Sequence, residues 1–164
     1  MTVYGRMLLA AAGSALLLLG ALAFQYVGGL APCPMCLWQR WPHLLAVLVG
    51  ILGVTVLWRQ RRWLALAGAA LMTASAGLAI FHAGVEWRWW EGLSTCSAPA
   101  PGSDVSADAL LEQILEAPVV RCDDVAWSML GLSLAGWNAL LSAGLAALWA
   151  ASVWWWRMPF DREA

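Results

Sequence analysis

Long runs of apolar residues, separated by shorter polar segments, form the main pattern of this chain. A transmembrane α-helix needs about 20 mostly apolar residues, and four runs reach that length. They cover 7–27, 37–57, 63–85 and 128–156. Tryptophans gather near the ends of these runs, where indole rings favour the membrane interface. The pattern predicts a single all-α membrane domain over 1–164, a four-transmembrane-helix bundle whose last helix is tilted or extends beyond the bilayer.

The polar segments between the runs differ greatly in length. The first is the short segment 28–36, and the second is a tight W-R-Q-R-R-W connection. The only long one is 86–127, and within it 107–116 carries apolar residues at helical spacing with acidic residues elsewhere on the wheel. This spacing predicts a short amphipathic helix, ended by Pro118, that lies on the membrane surface. Packing of that helix on the loop itself or on a partner is the alternative.

Composition and charge agree with a membrane protein and give no sign of nucleic-acid binding. Hydrophobic residues make up 62% of the chain and charged residues 12%, about half the usual charged share. The net charge is only −1. Most arginines flank one side of the predicted spans, and the positive-inside rule places that side and both termini in the cytoplasm. These arginines are Arg6, Arg59, Arg61, Arg62, Arg157 and Arg162.

The first apolar run has a second interpretation. Arg6 followed by an apolar stretch and Ala21-Leu22-Ala23 is also typical of a secretory signal peptide with a small-residue cleavage site. The apolar stretch 7–23 is longer than the roughly 7–15 residues of such a segment, and it continues to Val27. We therefore predict that the first span is retained. Cleavage would leave three spans and move the C-terminus outside.

With this orientation all four cysteines lie near the outer membrane face, where disulfides persist. Cys33 and Cys36 form a C-P-M-C turn before the second run, and Cys96 and Cys122 lie within the long polar segment. Two intervening residues let a C-x-x-C pair close a small ring, and a helix N-terminus favours the thiolate form. Arg40 follows Cys36 by one helical turn on the same face. We therefore predict that Cys36 is a low-pKa thiolate beside a guanidinium, in a redox site.

Other uses of four cysteines fit the spacing less well. A four-cysteine zinc site usually has two closely spaced pairs, whereas Cys96 and Cys122 are far apart and form no second C-x-x-C. Haem attachment needs C-x-x-C-H, and Leu37 follows Cys36. Purely structural disulfides, or a membrane assembly or zinc-binding protein without turnover, stay open as alternatives. We predict redox chemistry and no resident metal.

The segment 32–40, P-C-P-M-C-L-W-Q-R, resembles the P-C-x-x-C-x-x-x-R signature of the DsbB family, the quinone-dependent disulfide-bond formation proteins of bacterial inner membranes. The likeness covers nearly the whole chain: the four spans, the long loop with its cysteine pair, the segment 122–127 and Trp137-Asn138. The vitamin K epoxide reductase family is the rival. In that family the loop pair precedes the C-x-x-C, whereas here the C-x-x-C comes first, which favours DsbB.

The resemblance implies an electron relay through two redox-active disulfides, Cys33–Cys36 and Cys96–Cys122. A reduced periplasmic thioredoxin-like partner of the DsbA type attacks the loop disulfide, and Cys96 forms the mixed disulfide. Cys122 passes electrons toward Cys33, and Cys36 meets a non-covalently bound ubiquinone or menaquinone beside Arg40. Thiol–disulfide exchange through a mixed disulfide is the chemistry of such pairs. The protein would then be a multi-pass inner-membrane protein with periplasmic cysteines.

Two further residues are candidate quinone contacts. His82 and Glu86, at the outer end of the third run, are one turn apart and share a helix face. They line the quinone pocket or shuttle its protons in one interpretation, and cap the span end or bind interfacial water in the other. Some family members have a histidine near the positions of Trp90 and Glu91, which is missing here and leaves the second quinone contact open. His43 is expected to be an interfacial structural residue, with contact to the quinone as the alternative.

Overall fold

The computed structural model describes residues 2–93 and 120–154. Four α-helices dominate it: α1 (Val3–Tyr26), α2 (Pro34–Val54), α3 (Arg61–Glu86) and α4 (Leu134–Trp154). Each is long and apolar enough to cross a membrane. This confirms the predicted all-α bundle of four membrane-spanning helices. The predicted amphipathic helix 107–116 and Cys96 lie outside the described residues.

Capping residues explain where α1 and α2 begin. The Thr2 hydroxyl accepts a hydrogen bond from the Gly5 N–H at 3.1 Å, so α1 begins before the apolar run does. Cys33 caps α2 in the same way, with its sulfur accepting from the Cys36 N–H at 3.3 Å. Pro34 occupies the first helical position, where its missing N–H costs nothing. As a result α2 begins three residues before the predicted boundary and includes most of the C-P-M-C turn.

A β-hairpin replaces the start of the predicted fourth span. β1 (Ser128–Met129) and β2 (Leu132–Ser133) pair in antiparallel fashion, and α4 begins directly after them. The two residues of the turn, Leu130 and Gly131, have φ values of 55° and 80°. Positive φ at both central positions is the geometry of tight two-residue hairpin turns. The apolar pattern did not predict this turn, because it includes Met129, Leu130 and Leu132 in a continuous span.

The four helices pack in a ring. α3 lies against α2 and α4, and α1 lies against the other sides of α2 and α4. One end of the bundle, here called the cysteine end, is formed by the end of α1, the start of α2, the end of α3 and the start of α4. The other, called the opposite end, contains a buried apolar core. Its fully or nearly fully buried members are Val3, Met7, Ala10, Ala11, Ala46, Ala65, Met72 and Trp149.

Small residues let the helices approach closely at the opposite end. A Cβ atom built on Gly68 of α3 would lie 2.4 Å from the Trp149 ring of α4, and one built on Gly50 of α2 would lie 2.4 Å from the Cβ of Ala11. Such close contacts are typical of transmembrane helices, where lipid tails remove the hydrophobic driving force between helices. Large apolar side chains such as Leu16 and Leu140 point outward and are mostly exposed, as lipid-facing residues are.

Candidate thiol redox site and adjoining cavity

Three buried side chains meet at the cysteine end. Cys33 precedes α2, His82 lies in the last turns of α3, and Cys122 lies in the segment before β1. The two sulfurs and one imidazole nitrogen all lie within 4.8 Å of one another. The Cys33 sulfur is 3.5 Å from His82 Nε2. A cysteine of the long loop thus lies next to the C-x-x-C pair, although 89 positions separate Cys33 and Cys122 in the sequence.

The two C-x-x-C sulfurs are hydrogen-bonded to each other. The Cys33 thiol donates to the Cys36 sulfur at 3.2 Å, whereas a disulfide bond would be about 2.05 Å long. The hydrogen bond to Cys36, together with burial, raises the pKa of Cys33 to about 12. A thiol that keeps its proton and donates it to a neighbouring sulfur stabilises negative charge on that neighbour. The geometry therefore favours Cys36 as the thiolate of the pair.

His82 and Glu86 lie on one face of α3, as their spacing predicts. Glu86 Oε1 is 3.9 Å from His82 Nε2, and both side chains are nearly buried. The Ser133 hydroxyl also hydrogen-bonds the Glu86 carboxylate. The other carboxylate oxygen, Oε2, is buried and has no hydrogen-bond partner among the described residues. The glutamate therefore faces the protein interior beside the sulfurs.

A chain of hydrogen bonds leads from His82 into the bundle. Gln39 Nε2 lies 2.9 Å from His82 Nδ1, and Gln39 Oε1 accepts from Asn138 Nδ2 at 2.6 Å. Asn138 Oδ1 is 3.0 Å from His43 Nε2, which also approaches the hydroxyls of Ser75 and Ser142. Because the Cys33 thiol donates to Cys36, the consistent arrangement has each nitrogen donating toward Cys33: His43 to Asn138, Asn138 to Gln39, Gln39 to His82, His82 to Cys33.

The structure corrects the placement of His43 and adds Gln39 and Asn138 to the site. His43 is only 3% exposed and lies inside the bundle, so the prediction of an interfacial residue is wrong. Its neighbours on the other helices supply the hydrogen bonds that make burial of the ring possible. A sequence signal was available, because polar residues within a membrane span usually face the bundle interior and have a function.

A cavity of about 270 Å³ adjoins this chain between α1, α2 and α4. Most of its wall is apolar and comes from residues such as Leu17, Ala21 and Leu141. Arg40 lines it and donates from Nη1 to Gln25 Oε1 at 2.7 Å. The sequence-predicted neighbours Cys36 and Arg40 thus both reach this cavity. Its polar lining consists of Cys36, Gln39, Arg40, His43, His82 and Asn138.

The segment that carries Cys122 is held in place by neighbouring contacts. Arg121 Nε donates to Asp123 Oδ1 at 2.9 Å, and the guanidinium lowers the pKa of the Asp123 carboxyl. Trp127 packs on Phe24 of α1 with ring centroids 5.0 Å apart. Cys122 itself is fully buried. It packs in one buried cluster with Cys33, Met35 and Val85, which places the loop sulfur against the C-x-x-C turn.

Buried thiols beside a histidine at one end of a membrane bundle are the features of a membrane thiol oxidoreductase. The family model of the disulfide bond formation protein DsbB matches residues 5–152. A disulfide bond formation protein B of Hahella chejuensis is 32% identical over 96% of this chain and 94% of its own length. One of Saccharophagus degradans is 34% identical over 87% of this chain and 86% of its own. No solved structure matches the chain.

The chain belongs to the DsbB family. The resemblance noted in the signature 32–40 is thereby confirmed over nearly the full length. The protein is a multi-pass bacterial membrane protein, and its family membership assigns it a thiol oxidoreductase role in disulfide bond formation. The roles of the individual cysteines, of Arg40 and of the cavity are proposals that follow from the geometry.

Proposed function

We propose that the protein reoxidises a periplasmic DsbA-type dithiol protein and passes the electrons to a membrane quinone. The observation that carries this proposal is the position of the loop cysteine Cys122, buried within 4.8 Å of the Cys33 sulfur. A relay between two cysteine pairs needs one sulfur of each pair within reach of the other. The cavity next to Cys36 supports the second half of the relay, because it gives a small planar acceptor access to the C-x-x-C pair.

The first half of the relay exchanges disulfides. A partner thiolate attacks Cys96 of the Cys96–Cys122 disulfide, the bond between these two cysteines breaks, and Cys122 leaves as a thiolate. The second partner thiol then attacks the mixed disulfide, so the partner is oxidised and Cys96 is released as a thiol. Two electrons and two protons have now moved from the partner to the loop pair.

The second half moves the two electrons to the C-x-x-C pair. Cys122 attacks Cys33 of the Cys33–Cys36 disulfide, and Cys36 leaves as a thiolate. Cys96 then attacks Cys122, which restores the loop disulfide and releases Cys33 as a thiol. The hydrogen bond from His82 to Cys33 supports this step, since an N–H that points at a sulfur stabilises charge developing there. The net result is a reduced C-x-x-C pair.

A quinone fits the cavity by size and by the polar atoms available. Its volume, about 270 Å³, is close to the lower end of small-molecule sites, roughly 300 Å³, and its wall is mostly apolar. The lining residue Arg40 supplies a cation, which suits a quinone carbonyl oxygen. A bound quinone supplies a two-electron, two-proton acceptor, so that the Cys33–Cys36 disulfide re-forms.

The proposed orientation places the cysteine end in the periplasm and both termini in the cytoplasm. Arg59 of the connection between α2 and α3 lies at the opposite end of the bundle, as do Arg61 and Arg62 of the first turn of α3. This distribution supports a cytoplasmic opposite end under the positive-inside rule. A membrane that faces a compartment kept oxidising is the setting in which such a relay operates, which supports the bacterial inner membrane.

The test is quinone reduction by the purified protein, with a reduced thioredoxin-like partner and either ubiquinone or menaquinone. We expect turnover by the wild type, and a fall to the enzyme-free rate for Cys36→Ser and for Cys96→Ser. Leu140→Ala, a lipid-facing change outside the cavity lining, serves as the control and should keep the wild-type rate. Full turnover by Cys96→Ser would remove the loop pair from the relay. A wild type that is inert with both quinones would refute the quinone half.

A further inference from the structure

The grouping of Cys33, Cys122 and His82 has the donor set of a metal site. Two thiolates and one imidazole are ligands that zinc prefers, and all three donor atoms here are buried within 4.8 Å of one another. The spacing of the four cysteines gave no hint of this set, since it combines one sulfur from each pair with a histidine of α3. We propose that the reduced protein captures one Zn²⁺ between these three side chains.

The distances agree with tetrahedral coordination. Zinc–sulfur bonds of about 2.3 Å and zinc–nitrogen bonds of about 2.05 Å place a ligating sulfur and nitrogen roughly 3.5 Å apart. Cys33 Sγ and His82 Nε2 are 3.5 Å apart. Because Cys122 Sγ lies within 4.8 Å of both, side-chain rotation over about an ångström completes the set without a change of the helices.

The surroundings supply what such a site needs beyond its three ligands. A ligating histidine usually holds its second ring nitrogen in a hydrogen bond, and Gln39 already contacts His82 Nδ1 at 2.9 Å. A half-turn of that amide presents its oxygen to the ring N–H. Glu86 Oε1 lies 3.9 Å from His82 Nε2, and the Glu86 side chain has a buried oxygen without a partner among the described residues. This carboxylate offers a fourth ligand.

Charge favours a divalent ion at this place. Two thiolates balance the charge of Zn²⁺, so the buried cluster is neutral before Glu86 is counted, and a neutral cluster avoids the cost of an unpaired buried charge. Binding exchanges the two thiol protons for the metal ion, and no electron moves. The oxidised protein lacks the site, because each disulfide ties up one of its two sulfurs.

Zinc capture would therefore inhibit the relay. This consequence, though not the site itself, rests on the proposed function: Zn²⁺ would occupy both sulfurs between which electrons pass from the loop pair to the C-x-x-C pair. Cys36 is not a required ligand, since the third donor comes from His82. The ion would hold the protein in its fully reduced form until a chelator removes it.

The test uses the double variant C36S/C96S, which keeps both sulfur ligands and can form neither relay disulfide. We expect the purified full-length variant, kept reduced by a phosphine, to bind one equivalent of Co²⁺ with near-ultraviolet thiolate charge-transfer bands and tetrahedral visible bands. Zn²⁺ should bleach these bands by displacement. The matched control C33S/C122S keeps the other two cysteines and should show no thiolate band. Adding His82→Gln to C36S/C96S should weaken binding by about tenfold or more.

Three results would overturn the site. They are equal cobalt binding by C33S/C122S, no thiolate band in a folded C36S/C96S variant, and unchanged affinity after His82→Gln. Metal retention by the wild type gives a second measurement that does not depend on variants. The reduced wild type should retain about one equivalent of Zn²⁺ through gel filtration and the oxidised wild type none, and equal retention by both would contradict the proposal. None of these measurements involves quinone or a partner, so their failure is distinct from failure of the relay.

Discussion

The two ends of the bundle are built on different principles. At the opposite end the main buried cluster consists of alanines, methionines, Val3 and Trp149, and Trp149 fills the space above Gly68. At the cysteine end two thiols, a histidine and an amide are buried together. Polar groups inside a membrane protein cost free energy unless they are paired, so buried polar groups usually have a function. Close helix packing therefore accounts for the residues of the opposite end, and the chemistry of the buried polar groups accounts for those of the cysteine end. The opposite end holds the helices together, and the cysteine end uses that rigidity to place reactive groups.

We expect substitutions at the two ends to have different effects on stability and activity. A substitution at the opposite end should lower stability while the activity of the folded protein stays. A substitution in the hydrogen-bond chain at the cysteine end should lower activity more than stability. Three changes test this difference, and each has a control that lies close to it in chemistry.

The largest loss of stability is expected for Gly68→Ala. The added Cβ would lie 2.4 Å from the Trp149 ring, so α3 and α4 must separate or the indole must shift. Overpacking of this kind costs about 1–3 kcal/mol in the free energy of unfolding. Reversible unfolding of the detergent-solubilised protein measures the change. Gly77→Ala on the same helix is the control, because a Cβ there meets nothing within 4 Å.

The activity of Gly68→Ala decides whether packing at the opposite end affects the chemistry at the cysteine end. We expect Gly68→Ala to keep the wild-type rate per folded molecule at temperatures below its unfolding transition. Equal stability of Gly68→Ala and Gly77→Ala would show that the contact with Trp149 does not hold α3 against α4. A large loss of activity in a fully folded Gly68→Ala protein would show that the opposite end also sets the geometry of the sulfurs.

Asn138→Leu should have a smaller effect on stability and a larger one on function. The change removes the hydrogen bond to Gln39 Oε1 at 2.6 Å and the acceptor for His43 Nε2 and the Ser142 hydroxyl. Side-chain hydrogen bonds in membrane proteins contribute about 0.6 kcal/mol on average, up to about 1.7. We expect a loss of roughly 1–2 kcal/mol in unfolding free energy for the three bonds together. Ser152→Ala is the control, because its hydroxyl donates only to the Leu148 carbonyl of its own helix.

The functional effect of Asn138→Leu follows from the orientation of Gln39. Without Asn138 the amide of Gln39 is free to turn over, and its oxygen can then face His82 Nδ1. Turnover in the quinone assay should fall several-fold while Ser152→Ala keeps the wild-type rate. Asn138→Gln, which keeps an amide, should recover part of the loss. Wild-type turnover by Asn138→Leu would mean that the hydrogen-bond chain serves packing alone.

The helices and the C-x-x-C pair could be predicted from the sequence, the helices because a bilayer requires long apolar spans and the pair because its motif is local. A span must be long and apolar, so the four helices follow from run length, whereas the hairpin at Leu130-Gly131 was missed because its residues are also apolar. The C-x-x-C turn is local and shows in the sequence. The contact of Cys122 with Cys33 and His82 depends on how the long loop folds back, and no local pattern encodes that.

The hydrogen-bond chain is a second feature that could be predicted only in part from the sequence. Gln39 and Asn138 were visible as polar residues within or beside apolar runs, and their burial could have been predicted from the cost of exposing amides to lipid. Which polar residues face each other is set by the rotation of each helix about its axis. That rotation follows from small-residue contacts such as Gly50 against Ala11, which join residues of different helices and leave no local pattern in the sequence.

The smallest effect is expected at Asp123, beside Cys122. Arg121 lowers the pKa of Asp123, so the ionised carboxylate stabilises the folded state above the unfolded pKa of about 3.9, and this stabilisation is lost as the pH falls through the lower folded value. Asp123→Asn should therefore lower the unfolding temperature slightly at pH 7, and the difference from wild type should shrink as the pH falls below about 4. Thermal unfolding at both pH values measures it. Asp124→Asn is the control, since Asp124 is mostly exposed and lies 3.8 Å from Arg121. A difference that persists unchanged at low pH would assign the effect of Asp123→Asn to something other than its charge.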